Sequence, residues 1–229
     1  MERTATGTFT FLAPAVAAWL CGCVQTPPPT FSDLPPHVLN YAAAPVRADV
    51  SPPPARSKPQ IQSVKEWEAA GYRPWRHVVV HHSASERGNA EMFDKYHREQ
   101  RGWDELGYHF VITNGRDGAD GKVEVGPRWR TQKWGAHCGG TPNNEYNNYG
   151  IGICVVGDFS HRLPSKAQRA SLRRLVLYLI RKYSIPPDQV IGHCDAPETQ
   201  TACPGSALHR YVRETLRPEL RRLAAADRR

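Results

Sequence analysis

The 229-residue chain has no apolar run approaching the roughly 20 residues that a helix needs to cross a bilayer, which excludes a polytopic membrane protein. It has no internal repeat, which excludes a solenoid. Glycine is nearly missing from the first 60 residues, which hold two of the 18 glycines but 11 of the 20 prolines and show no helical or alternating apolar pattern. Such a front buries too little surface to offset its ordering entropy, so one compact domain of about 170 residues is expected behind it. No nucleic-acid fold signature accompanies the net charge of +8. The rest of the composition is ordinary: 40% hydrophobic, 23% charged and 9% aromatic residues exclude collagen-like and wholly disordered chains. The basic balance leaves an anionic partner open: nucleic acid, an acidic lipid surface or an acidic wall polymer.

Residues 9–20 form an apolar stretch of the length of a secretory signal core. They run into Leu20-Cys21-Gly22-Cys23, which resembles the bacterial lipobox, although Glu2 offsets Arg3 in the leading segment. Residues 1–22 are therefore expected to be a lipoprotein-type signal peptide and Cys23 the lipidated residue, its acyl chains anchoring the protein at about 0.8 kcal/mol per buried methylene. The expected location is the bacterial cell envelope, facing the periplasm. By resemblance to enterobacterial lipoproteins, Val24 in place of an aspartate favours the outer membrane. Residues 23–60, with Pro27-Pro28-Pro29, Pro35-Pro36 and Pro52-Pro53-Pro54, read as a disordered proline-rich linker, and 61–229 as the folded domain.

Within that domain, Arg76 to His82 is a β-branched run without alternation, the pattern of a strand buried on both faces. Asn89 is placed to cap a helix reaching Gln100, with Met92, Phe93, Tyr96 and His97 on one stripe. Strands are expected at 108–113, 122–125, 151–156 and 189–191. Ser165 to Gln168 has capping-box spacing ahead of Leu172, Leu175, Val176, Leu179, Ile180 and Tyr183, and a last helix is disturbed by Pro218. Interleaved strands and helices imply an α/β domain, helices packed on a central mixed sheet.

Three segments put metal-capable side chains near strand ends: His81-His82, His193 after Val190-Ile191-Gly192, and Cys203 ten residues beyond His193. Two imidazoles and a thiolate suit zinc and leave a fourth position for water. Adjacent strand residues point to opposite faces, so only one of His81 and His82 is expected to reach a shared ion.

His81-His82-Ser83-Ala84, Gly107-Tyr108-His109-Phe110, Gly135-Ala136-His137, Tyr146-Asn147 with Gly152-Ile153, and Gly192-His193-Cys194-Asp195 through Thr201-Ala202-Cys203-Pro204-Gly205 follow one another in this order. That order resembles the type 2 N-acetylmuramoyl-L-alanine amidases, the zinc amidase superfamily of the T7 lysozyme-like enzymes and the peptidoglycan recognition proteins. The resemblance spans roughly Trp67 to Leu208 and implies a single catalytic domain with a mixed sheet flanked by helices. It implies Zn2+ held by His81, His193 and Cys203, with Tyr108 and Thr201 as catalytic groups. The implied reaction is hydrolysis, by a zinc-activated water, of the amide joining the lactyl group of N-acetylmuramic acid to L-alanine, on peptidoglycan or muropeptides. A monomer is the expected state. Cys194 departs from the arginine that relatives commonly carry there.

By the same resemblance His137 and Asn147 lie near the substrate groove and are expected to contact substrate, while His97, His161 and His209 have no supporting motif. Trp103, Trp129 and Trp134 flank the groove-forming segments, with burial the expected fate of each. With Cys21 removed, Cys23 acylated and Cys203 on the metal, Cys138, Cys154 and Cys194 are left. A Cys138–Cys194 disulfide is expected because both follow histidines that should converge at the site, with Cys154 a buried thiol. The alternative function is a non-catalytic peptidoglycan-binding module of the same fold. Nucleic-acid binding is disfavoured for an exported protein, although residues 205–229 carry seven arginines against three acids, 7 − 3 = +4 of the total. A cysteine hydrolase built on Cys203 would leave the second histidine without a use.

Overall fold

The computed structural model describes residues 64–227; the expected signal peptide, Cys23 and the proline-rich linker lie outside the described residues. A five-stranded sheet runs in the order β3-β2-β4-β1-β5. Strand β1 (His77–His82) and β4 (Gly150–Val155) are buried at every position, which is why neither alternates in sequence. β1 pairs in parallel with β4 and with β5 (Val190–Gly192), and β4 pairs in parallel with β2 (Phe110–Ile112). Only β3 (Val123–Val125) is antiparallel, returning along β2 after a turn. The expected strands are met within two residues at each end.

One face of the sheet presents Val78, Val80, Phe110, Ile112, Ile151 and Ile153 to the main core. Three helices carry labels α1 (Ala90–Arg101), α2 (Pro127–Arg130) and α3 (Glu145–Asn148) ahead of β4. The long α4 (Lys166–Tyr183) covers the core face with Leu172, Leu175, Val176 and Leu179. Its capping box is formed as the spacing predicts: Ser165 Oγ accepts from the Gln168 N–H, and Gln168 Oε1 accepts from the Ser165 N–H. The C-terminal helix is continuous but changes pitch. α5 (Ser206–Tyr211) passes through a wider π turn (Val212–Leu216) into α6 (Arg217–Ala226), and the widened turn lies directly ahead of Pro218, whose ring and missing N–H interrupt the regular i→i−4 ladder there.

The opposite face is built differently. Register puts His77, Val79 and His81 of β1 beside Gly150, Gly152 and Cys154 of β4. Two of those three β4 positions have no side chain, so loops pack directly on the strand. A Cβ at residue 152 would lie 2.3 Å from His137 Cδ2, and one at residue 150 would lie 2.2 Å from the Tyr146 carbonyl oxygen. α1, capped by Asn89 Oδ1 accepting from the Met92 N–H, closes the end of this face with Phe93 and His97. Met92 is exposed, so the buried stripe of α1 is narrower than the sequence pattern implies.

Gly152→Ala should overpack this face and cost about 1–3 kcal/mol. Thermal unfolding followed by circular dichroism should show a midpoint lowered by several degrees; an unchanged midpoint would mean that the contact is relaxed by the loop.

Candidate metal centre

His81 lies near the end of β1, His193 directly after β5, and Cys203 in the turn that leads into α5. Pairing of Val80 with Gly192 sets His193 alongside His81, their ring centroids 4.6 Å apart. The Cys194 N–H donates to the Cys203 carbonyl at 2.8 Å, which ties the third segment to the second. One ligand atom from each of His81, His193 and Cys203 falls within 4.8 Å of the others, and all three residues are buried. His82 contributes backbone only: its N–H points to Cys203 Sγ at 3.4 Å while its ring sits on the core face near Phe159, as strand alternation requires.

The orientation of His81 is set by a chain of hydrogen bonds. The Gly150 carbonyl can only accept, so His137 Nε2, 3.1 Å away, carries a proton and donates to it. Burial holds the His137 ring well below its ordinary pKa and therefore neutral, which leaves Nδ1 as an acceptor. His81 Nε2, 3.1 Å from that atom, must be the donor. His81 Nδ1 is then left with a lone pair, and it faces Cys203 Sγ at 3.6 Å. A neutral imidazole with a fixed tautomer is what metal ligation requires.

The electrostatics agree with that reading. Burial, reinforced by the neighbouring His193 and His137 rings, pushes the His81 pKa well down, and burial holds His193 at about 4. Burial pushes the Cys203 thiol up, so a thiolate there needs a cation beside it. Among the described residues His193 Nε2 is buried without a hydrogen-bond partner. An unpartnered buried nitrogen next to a second imidazole nitrogen and a sulfur is costly unless something binds it. Two histidines and one cysteine, with no fourth protein ligand among them, fit a divalent zinc ion with a position left for exchange.

Tyr108 stands beside His81, ring centroids 5.2 Å apart, and its hydroxyl bonds with the thiol of Cys154, which shares the sheet face of His81. Burial raises the Tyr108 pKa, keeping the phenol protonated. Thr201 Oγ1 accepts from the Cys203 N–H at 3.1 Å.

His137 is placed behind His81 as its hydrogen-bond partner. Asn147 is buried, its Oδ1 accepting from the N–H groups of His137 and Cys138, so it shapes the loop. Cys138 and Cys194 are free thiols, not a disulfide: Cys138 is sealed among Val79, Ile191 and Ala196, while Cys194 is half-buried beside Asp195 and Arg213. Trp129 is buried, whereas Trp134 is half exposed with Lys133 and Arg73 over its ring. The sequence reading passed over two residues that organise the site. His109 accepts from the Gly152 N–H and donates to the Lys133 carbonyl; burial holds its pKa at about 3. Arg128 donates to the Leu106 and Trp134 carbonyls and pairs with Asp104, stapling the segment before Tyr108 to the segment before His137. His109 was within reach as part of the Tyr108 motif; nothing in the sequence around Arg128 signals a buried clamp.

A family model described as N-acetylmuramoyl-L-alanine amidase matches residues 71–206. Peptidoglycan recognition protein 1 of Bos indicus is 36% identical over 151 residues, 62% of this chain and 73% of that protein. The human N-acetylmuramoyl-L-alanine amidase is 30% identical over 176 residues, 68% of this chain but only 28% of that longer protein. Among solved structures, bumblebee PGRP-SA is similar with a TM-score of 0.51 and 27% identity, covering 67% of this chain and 93% of that one. On the extent of the family match and on this fold, the chain belongs to the N-acetylmuramoyl-L-alanine amidase family.

Proposed function

We propose that the protein is a zinc-dependent peptidoglycan hydrolase that cleaves the amide between the lactyl group of N-acetylmuramic acid and L-alanine. The observation that carries this is the convergence of His81, His193 and Cys203, with an unpartnered nitrogen on His193, beside a protonated Tyr108. Family membership supports peptidoglycan amide hydrolysis.

When bound, zinc would polarise the scissile carbonyl and make water a stronger nucleophile at neutral pH. The chain's own residues do the rest. His137, fixed by the Gly150 carbonyl, holds the proton of His81 at Nε2 and keeps Nδ1 directed at the site. The Cys203 sulfur is kept in place by the His82 N–H and by the Thr201 hydroxyl, which receives the Cys203 N–H. Burial keeps the proton on the Tyr108 hydroxyl, making it a donor for negative charge on the former carbonyl oxygen. Thr201 lies in the same turn as Cys203 and serves as the second hydroxyl, lending a hydrogen bond while the oxygen of the attacking water bonds to the carbonyl carbon, the proton it gives up passes to the alanine nitrogen and the C–N bond breaks.

The same proposal places the enzyme at the bacterial envelope, tethered through lipid on Cys23 with residues 23–60 as spacer. The substrate is the peptidoglycan or muropeptides within reach of that tether.

The full-length protein should release stem peptides from peptidoglycan, lose the activity on chelation and regain it with added zinc. Activity indifferent to chelation would overturn the metal assignment, and binding to the wall without release would favour the recognition module. Tyr108→Phe should lower kcat by about 10²–10³ with KM and zinc content little changed; full activity in that variant would remove the tyrosine from the reaction. Cys23→Ser should abolish incorporation of labelled fatty acid and move the protein out of the membrane fraction; labelling that persists would disprove the anchor.

A further inference from the structure

One departure from the family pattern, Cys194, is not used by the proposed reaction. It belongs to a second cluster on the outer side of the β5 turn. One ligand atom from each of Cys194, Asp195 and His209 lies within 4.8 Å of the other two. His209 comes from α5, and its ring is seated against Gly192, where an added Cβ would lie 3.0 Å from Cδ2. Its Nε2 is 2.8 Å from Asp195 Oδ1. The other carboxylate oxygen is already engaged: Oδ2 accepts from the Gly192 N–H at 3.0 Å and from Arg217 at 3.3 Å. Asp195 is therefore held by its back oxygen with its front oxygen turned to His209, the kind of outer support that orients a monodentate metal ligand. The side chains of His209 and Asp195 are 22% and 25% exposed, so an ion can reach them from solution.

We propose that Cys194, Asp195 and His209 form a second zinc site, separate from the His81, His193 and Cys203 centre. Sulfur, carboxylate oxygen and imidazole nitrogen together suit zinc among the common divalent ions. Bond lengths of about 2.0–2.3 Å place tetrahedral ligands roughly 3.5 Å apart, so His209 and Asp195, now 2.8 Å apart, open slightly while Cys194 draws in by up to about 1 Å. Binding releases the Cys194 thiol proton and exchanges the His209–Asp195 hydrogen bond for two metal bonds. The thiolate and carboxylate neutralise the ion, which leaves Arg217 and the nearby Arg213 as the surrounding charge. This site presents itself to solvent, while the first is buried.

Equilibrium dialysis of the full chain against zinc, followed by elemental analysis, tests the assignment. Wild type should hold two zinc ions per chain, and Cys194→Ser and His209→Gln should each hold one, with circular dichroism confirming that both variants are folded. Cys203→Ser should keep one ion, which adding Cys194→Ser removes. One ion in wild type and still one in Cys194→Ser overturns the second site and leaves the first intact. Two ions in wild type and in both Cys194→Ser and His209→Gln place the second ion elsewhere and also overturn it. One ion in wild type that Cys194→Ser removes supports this site and overturns the buried one instead.

Discussion

The path from the Gly150 carbonyl through His137 to His81 is the constraint on which the site depends. A carbonyl has no proton to give, so the first link decides the second and the second decides which nitrogen of His81 is bare. Nothing in that sequence of steps works if any ring is charged. Burial keeps His81, His109, His137 and His193 neutral, and neighbouring imidazoles further discourage protonation of His81 and His137. The cost of hiding so many imidazoles is offset by giving each ring a defined partner; His193 Nε2 is the exception.

The fold supplies the room for this arrangement by leaving side chains out. β4 has the buried, uninterrupted character of a central strand, yet its glycines at 150 and 152 open the face on which His81 and Cys154 stand. His137 and the Tyr146 backbone occupy that opening. Arg128, with a nearly buried guanidinium, then holds the segments on either side of it to one another. Strand, loop and clamp come from regions far apart in the chain, and each would be unremarked alone.

That distribution accounts for what could be read in advance. The strands were legible because β1 and β4 are β-branched or apolar throughout, and α4 because Ser165, Gln168 and the Leu172 to Tyr183 spacing agree with one another. The convergence of His81, His193 and Cys203 was implied by the order of motifs, with His82 set aside by strand alternation. The place of His137 was not legible: a Gly-Ala-His segment carries no information about which carbonyl its ring will meet. The free state of Cys138 and Cys194 was missed for a similar reason. Sequence neighbours of two converging histidines need not themselves face one another, and here one is sealed in an apolar cluster while the other lies beside Asp195 and Arg213.

The separation of the ligands has a mechanical side. His81 and Cys203 are 122 residues apart, and the stretch between them contains four of the five strands whole, along with α4. An ion shared by the two residues would act as a cross-link, closing a loop that long at one point. Since the unfolded chain holds no such pocket ready, folding and ion uptake would become a single equilibrium, and the durability of the domain would be set in part by the free concentration of metal around it.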